Sequence, residues 1–179
     1  MAGAQQSAGL RSPLDAVERA SWQARFNDMA IMRHFGAVFD LRDEYLTRIT
    51  VAAPARFHMG GLGTTAINGA TISGLIDCAV SATGITHFRG RKSGTVELSV
   101  HFLAPLAFAA FTVECVATRK TRSLLFAEAR ILDRRGRLCA RGVGIVATAQ
   151  ESARELAQAE RSDGVWHQPD GLAVLQEEA

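Results

Sequence analysis

Between Phe57 and Phe88 one side chain is fully charged at neutral pH, and it is Asp77. It lies within Asn68-Gly-Ala-Thr-Ile-Ser-Gly-Leu-Ile-Asp77-Cys-Ala-Val-Ser-Ala-Thr-Gly84, a run of small and apolar residues. Such a run reads as a helix apolar nearly all round, which is a buried helix. A carboxylate inside one needs hydrogen-bonding partners, a shifted pKa or a chemical task. Ser73, Asp77 and Ser81 are spaced i, i+4, i+8 and share a helix face, with Gly74 beside them. The carboxylate is then either a polar bolt held by neighbouring hydroxyls or a nucleophile or general base. No basic residue is near it in sequence, which favours a chemical task.

The start of the same helix is a second candidate element. Asn68 is a good N-cap, and Gly69-Ala70 leaves backbone N–H groups uncovered by bulky side chains. A helix N-terminus of that kind polarises a carbonyl oxygen or holds an oxyanion. Nine residues separate Asn68 from Asp77. That is about 13.5 Å of rise and half a turn out of phase. One helix cannot aim both groups at one reacting atom. A catalytic reading therefore predicts a homodimer with composite sites.

Other chemistries find little support. Gly60, Gly61 and Gly63 are followed by no Gly-x-x-x-x-Gly-Lys-Ser/Thr. Gly142-x-Gly144-x-x-Ala147 mimics a dinucleotide fingerprint but lies in a strand-like stretch that opens no helix. No Gly-x-Ser-x-Gly elbow occurs. The five histidines make no ligand pair at helical or finger spacing, so no metal is expected. Cys78, Cys115 and Cys139 are odd in number and widely spaced, which reads as buried reduced thiols in a cytoplasmic protein. Neither a secretory signal nor a membrane span is expected. The net charge of +2 hides an excess of seven cations over His87–Arg141 and of five acids over Gln150–Ala179. The basic block suits a phosphorylated ligand or plain solvation, and without interleaved aromatics it does not suit nucleic acid.

The chain of 179 residues should form one domain with extensions. Ser12-Pro-Leu-Asp reads as a helix start with Ser12 as N-cap, running to Arg25 or beyond, then a short helix near Asp28–His34. Gly36–Ala53 turns extended, and Met59-Gly-Gly-Leu-Gly-Thr-Thr is loop. The apolar helix spans about Asn68–Thr83, stopped by Gly84. Thr95, Glu97, Ser99 and His101 then alternate with Val96, Leu98, Val100 and Phe102 in an unbroken period of two. Phe111–Arg119, Ser123–Asp133 and Arg137–Thr148 supply three more strands, and Glu151–Arg161 reads as a polar helix before a tail. The fold class is α+β: a long central helix wrapped by a curved antiparallel sheet. The divisions are an N-terminal helical extension over 1–35, the domain over 36–149 and a C-terminal helix and acidic tail over 150–179.

Three pieces in order resemble hotdog-fold acyl-CoA thioesterases of the phenylacetate-degradation (PaaI-like) type. Asn68-Gly69-Ala70, Leu75 and Asp77 match the helix pattern His-Gly-Gly, four residues, Leu, one residue, Asp. Thr95-Val-Glu-Leu-Ser-Val-His-Phe-Leu-Ala-Pro105 is similar to the family's next strand, and Ser123–Thr148 to its closing hairpin. The resemblance implies acyl-CoA hydrolysis without a cofactor, in a homodimer or a dimer of dimers. Asp77 would be nucleophile or base. Gly69 of the partner would polarise the carbonyl, and Thr95 would assist the carboxylate or the water. Two positions depart from the family: Asn68 stands for its His, and Leu62 for an Asn six residues earlier. Such a site would also suit a non-catalytic acyl-CoA-binding or assembly module. A hydratase on the same fold ranks last, for want of its His- and Pro-containing helix start. Ser73 and Ser81 would line the substrate site, with Leu75, Ile76, Phe102 and the Met59 loop shaping it. Arg89, Arg91, Lys92, Arg119, Lys120 and Arg122 would hold the CoA phosphates.

Overall fold

In a computed structural model, residues 9–60 and 65–148 are described, within the compact unit Met1–Ala149. The expected helix at Glu151–Arg161, the tail and Leu62 lie outside the described residues. The elements are α1 (Ala16–Asn27), α2 (Ala30–Phe35), β1 (Ala37–Asp40), β2 (Thr47–Val51), α3 (Gly69–His87), β3 (Ser93–Phe102), β4 (Phe111–Lys120), β5 (Leu124–Asp133) and β6 (Leu138–Thr148). The six strands form one antiparallel sheet in the order β1-β2-β4-β5-β6-β3, and α3 packs on it. This is the hotdog arrangement that the helix signature implied.

Alternation explains which face is covered. Leu125, Ala127, Ala129 and Ile131 of β5 are buried while Phe126, Glu128, Arg130 and Leu132 turn outward. Small residues let the helix sit close: a Cβ at Gly142 would meet Ile76, and one at Gly144 would meet Val80. Those two glycines serve packing inside β6, so the fingerprint-like spacing has a structural cause.

Three features differ from the sequence reading. Asp15, not Ser12, caps α1, because Glu18 completes a capping box: Glu18 N–H donates to Asp15 at 2.8 Å and Asp15 N–H to Glu18 at 2.8 Å. Gly84 does not stop α3. It is buried under Val146, where any Cβ would clash, and the helix runs on to His87. The chain then turns through Arg89 and Gly90, both at positive φ. The third difference is a register shift in β3 between Thr95 and Glu97.

The two edges of the sheet are treated differently. At β1, Asn27 Nδ2 donates to the Phe39 carbonyl at 3.2 Å and Asn27 Oδ1 accepts from Phe39 N–H at 2.6 Å. Gln23 accepts from Leu41 N–H at 2.8 Å. Helix α1 thus supplies amide groups where a further strand would dock. At β3 no described residue covers the outer edge, and Val96, Phe102 and Leu103 are all more than half exposed.

Candidate active site

Over residues 73–81, helix α3 is buried on one side only, whereas Ala82, Thr83, Gly84, Thr86 and His87 are all buried. Leu75, Ile76, Ala79 and Val80 are fully buried against the sheet, whereas Ser73, Gly74, Asp77, Cys78 and Ser81 form a half-open stripe. The all-round burial expected from composition holds for the last turns and is corrected for residues 73–81. There the sheet covers one side of the helix, and few of the described residues cover the other. It follows that Leu75 and Ile76 face the core and cannot shape a substrate pocket. Among the described residues the Asp77 carboxylate accepts no hydrogen bond.

One turn along the same stripe, the Ser81 hydroxyl lies 2.7 Å from the Thr95 hydroxyl of β3. Unbroken alternation would have put Thr95 on the outer face with Glu97, Ser99 and His101. The bulge at Val96 inserts one residue and turns Thr95 inward onto α3. The strand thus reaches the helix at the turn following Asp77.

At the other end of α3, Asn68 Oδ1 accepts from Thr71 N–H at 2.6 Å. Its Nδ2 donates to the carbonyls of Phe57 at 2.9 Å and Met59 at 3.3 Å. The Asn68 amide is therefore engaged at both ends, capping the helix and holding the chain before the glycine loop. The N–H groups of Gly69 and Ala70 have no acceptor among the described residues, and both residues are exposed. A Cβ at Gly69 would come within 3.3 Å of the Phe102 ring, so that ring lies over the helix start.

Phe35 of α2 is a neighbour the sequence did not reveal. A Cβ at Gly74 would lie 3.1 Å from its ring, placing Phe35 on the stripe one turn before Asp77 and Cys78. Residues 39 positions apart leave no periodic signal of such contact. Cys78 stays a thiol at neutral pH: burial, helped by the Asp77 charge, pushes its pKa up to about 11. Cys115 and Cys139 are buried, and all three cysteines are unpaired.

The basic residues gather at the far end of α3, and several are already engaged. Arg89 donates to the Pro13 carbonyl at 2.8 Å and pairs with Glu18 at 2.9 Å. Lys120 Nζ donates to the His87 carbonyl at 2.6 Å, a favourable position at a helix C-terminus. Its pKa is lowered by burial and by Arg91 and Arg89 nearby. Arg119 lies over the Phe126 ring at 5.9 Å. Arg91, Lys92, Arg119 and Arg122 are exposed. Among the described residues no three His, Cys, Asp or Glu side chains gather to hold a metal, and no helix is long and apolar enough to cross a membrane.

This arrangement of fold and stripe can be set against known proteins. The chain shares its fold with the E. coli PaaI protein from the phenylacetic acid degradation operon, at 16% identity and TM-score 0.64, covering 76% of this chain and 95% of that one. A thioesterase from Haemophilus influenzae aligns at 14% identity and TM-score 0.65, covering 80% of this chain and 99% of the other. A thioesterase family protein from Silicibacter pomeroyi gives 19% identity and TM-score 0.64 over 73% of this chain and 96% of that one. Among curated protein sequences none matches. The family model for the thioesterase superfamily matches residues 65–140, which span α3 through the start of β6. That match covers less than half of the chain, and the likeness to the solved structures is one of fold, the hotdog arrangement.

Proposed function

We propose that this chain hydrolyses acyl-CoA thioesters to the free acid and CoA, at composite sites of a homodimer. The superfamily match supports thioesterase-type hydrolysis in general. The observation that carries the reading is the Asp77 carboxylate itself. It accepts no hydrogen bond among the described residues, and it lies on a half-open stripe beside the Ser81–Thr95 hydroxyl pair. A buried polar bolt would have its partners within the fold.

Asp77 takes a proton from water as the oxygen attacks the thioester carbonyl carbon. The developing oxyanion is held by the Gly69 N–H of the partner subunit. Collapse breaks the carbon–sulfur bond, and the thiolate recovers the proton from Asp77. As direct nucleophile, Asp77 would instead form an anhydride that water then cleaves. Ser81 and Thr95 orient the water or the carboxylate, and Ser73 lines the acyl side. Arg91, Lys92, Arg119 and Arg122 face the CoA phosphates, while Arg89 and Lys120 brace that end of α3. The open β3 edge supports the dimer, and pairs of such dimers would make a tetramer.

A binding or assembly module is the second reading, favoured by Asn68, whose engaged amide offers substrate nothing. Thiol release from short, medium, long and aryl acyl-CoAs separates the two. Turnover that falls at least about a thousandfold in Asp77→Asn, with the dimer intact, establishes the hydrolase. A rise in Tm with acyl-CoA but no thiol release establishes the binder.

A further inference from the structure

A thioester carbonyl carries sulfur on one side and the acyl carbon on the other, so the two leave it in opposite directions. Arg91 and Lys92 follow the last turn of α3. Lys120, bonded to the His87 carbonyl, brings the β4–β5 turn with Arg119 and Arg122 to the same end. His87 stands ten residues past Asp77, about 15 Å along the helix axis. With the CoA phosphates at that end, the acyl group runs from Asp77 toward the start of α3. Leu75 and Ile76 are turned into the core there, so the half-open stripe offers it Ser73 and Gly74.

One turn before Asp77 that path meets an aromatic ring. Gly74 lies three residues before Asp77, about 4.5 Å of rise. A Cβ on Gly74 would lie 3.1 Å from Phe35 Cζ and 3.6 Å from Phe35 Cε2, so the ring edge rests where the helix lacks a side chain. The ring is braced from behind. Helix α2 packs through the fully buried Met32 and ends at Gly36, whose φ of 54° turns the chain directly into β1. His58 stacks on Phe35 at 6.2 Å between ring centroids, with the planes 25° apart. That imidazole is buried and accepts from Ala55 N–H at 2.7 Å. The His58 carbonyl accepts from Asn68 N–H at 2.7 Å, which ties the brace to the cap of α3. Phe57 packs on the same imidazole at 3.9 Å.

We infer that Phe35 closes the acyl end of the site and restricts the protein to short acyl groups. This pocket length rests on the hydrolase reading above and names its substrate class, short acyl-CoA thioesters. An extended chain advances about 1.2 Å per bond, so one helical turn holds about four bonds beyond the carbonyl carbon. A butyryl group fits that length and an octanoyl group does not. A longer chain must push a braced ring off Gly74, which penalises it relative to a short one. The part that the sequence assigned to Leu75 and Ile76 thus falls to Phe35.

Thiol release from acetyl-, butyryl-, hexanoyl-, octanoyl- and dodecanoyl-CoA tests this with wild type, Phe35→Ala and the milder Phe35→Leu. In wild type, kcat/KM should fall at least about tenfold from butyryl- to octanoyl-CoA. Phe35→Ala should raise the octanoyl-to-butyryl ratio at least about tenfold, and Phe35→Leu should raise it less. The ratio is the readout, because a merely structural loss lowers every substrate alike. A wild type that takes octanoyl-CoA as well as butyryl-CoA overturns the assignment, and so does a ratio unchanged in both variants. If no acyl-CoA releases thiol, the hydrolase reading fails by itself, and S-butyl- and S-octyl-CoA thioethers read the same pocket through Tm. Stabilisation of wild type by S-butyl-CoA alone, and of Phe35→Ala by both, upholds the role of Phe35. Equal stabilisation of wild type by the two thioethers, or none by either, overturns it.

Discussion

Asn68 and Asp77 are the two polar side chains that the helix signature singles out, and they behave in opposite ways. Asn68 spends its amide on Thr71, Phe57 and Met59, so its role is to start α3 and fix the loop before it. Asn68→Ala should therefore cost about 1 kcal/mol of stability, the usual loss for a removed N-cap, read as a lower urea midpoint at unchanged m. An unchanged midpoint would deny it the capping role. Asp77 accepts no hydrogen bond among the described residues, and it was the candidate for the chemistry that charge alone singled out. No other full charge stands in that stretch of chain. Phe35 was not legible. Its ring meets Gly74 through a contact 39 residues away in sequence, and nothing in α2 announces it.

At the scale of elements, the long apolar helix and the hairpins could be read because their periods are strong, as the alternating burial of β4 and β5 bears out. Two features escaped because single residues decided them. Gly84 carries the usual mark of a helix stop, yet it marks the close approach of Val146. The bulge at Val96 breaks a sequence pattern that looks regular, since a valine fits either face. That bulge is what aims Thr95 at Ser81. Deleting Val96 restores plain alternation and should turn Thr95 to the outer face. Hydrolysis should then fall by at least about tenfold, with the sheet still formed by circular dichroism. Full activity in the deletion would show that the Thr95 hydroxyl has no part in the reaction.

For the whole molecule, acid sensitivity follows from two buried histidines. His87 and His58 both have pKa values lowered chiefly by burial, so the folded state holds them neutral. The unfolded chain binds their protons near pH 6.5. Stability is therefore fully present above about pH 6.5 and is lost as pH falls toward the folded values. The carboxylates belong to a lower window. Arg42 beside Asp40 holds its carboxyl at about 2, and backbone and Arg137 contacts lower Asp133, so their contribution fades only below about pH 4. Tm should thus drop between pH 7.5 and 5.5, and His87→Gln should flatten that slope even if it lowers Tm at pH 7.5. An equally steep slope in the variant would place the titration elsewhere.

The proposed chemistry needs two subunits, because a single α3 cannot present Gly69 and Asp77 to one carbonyl. Mixing inactive subunits tests this directly. Asp77→Asn removes the carboxylate. Gly69→Pro removes the N–H at the first helical position, where proline is well tolerated. Each homodimer should be inactive toward an acyl-CoA that wild type hydrolyses. Unfolded and refolded together in equal amounts, the two should recover about a quarter of wild-type thiol release, because half of the random dimers carry one intact site. Recovery near that level would place Asp77 and Gly69 in one site from two subunits. No recovery, from a mixture shown to contain mixed dimers, would contradict the composite site.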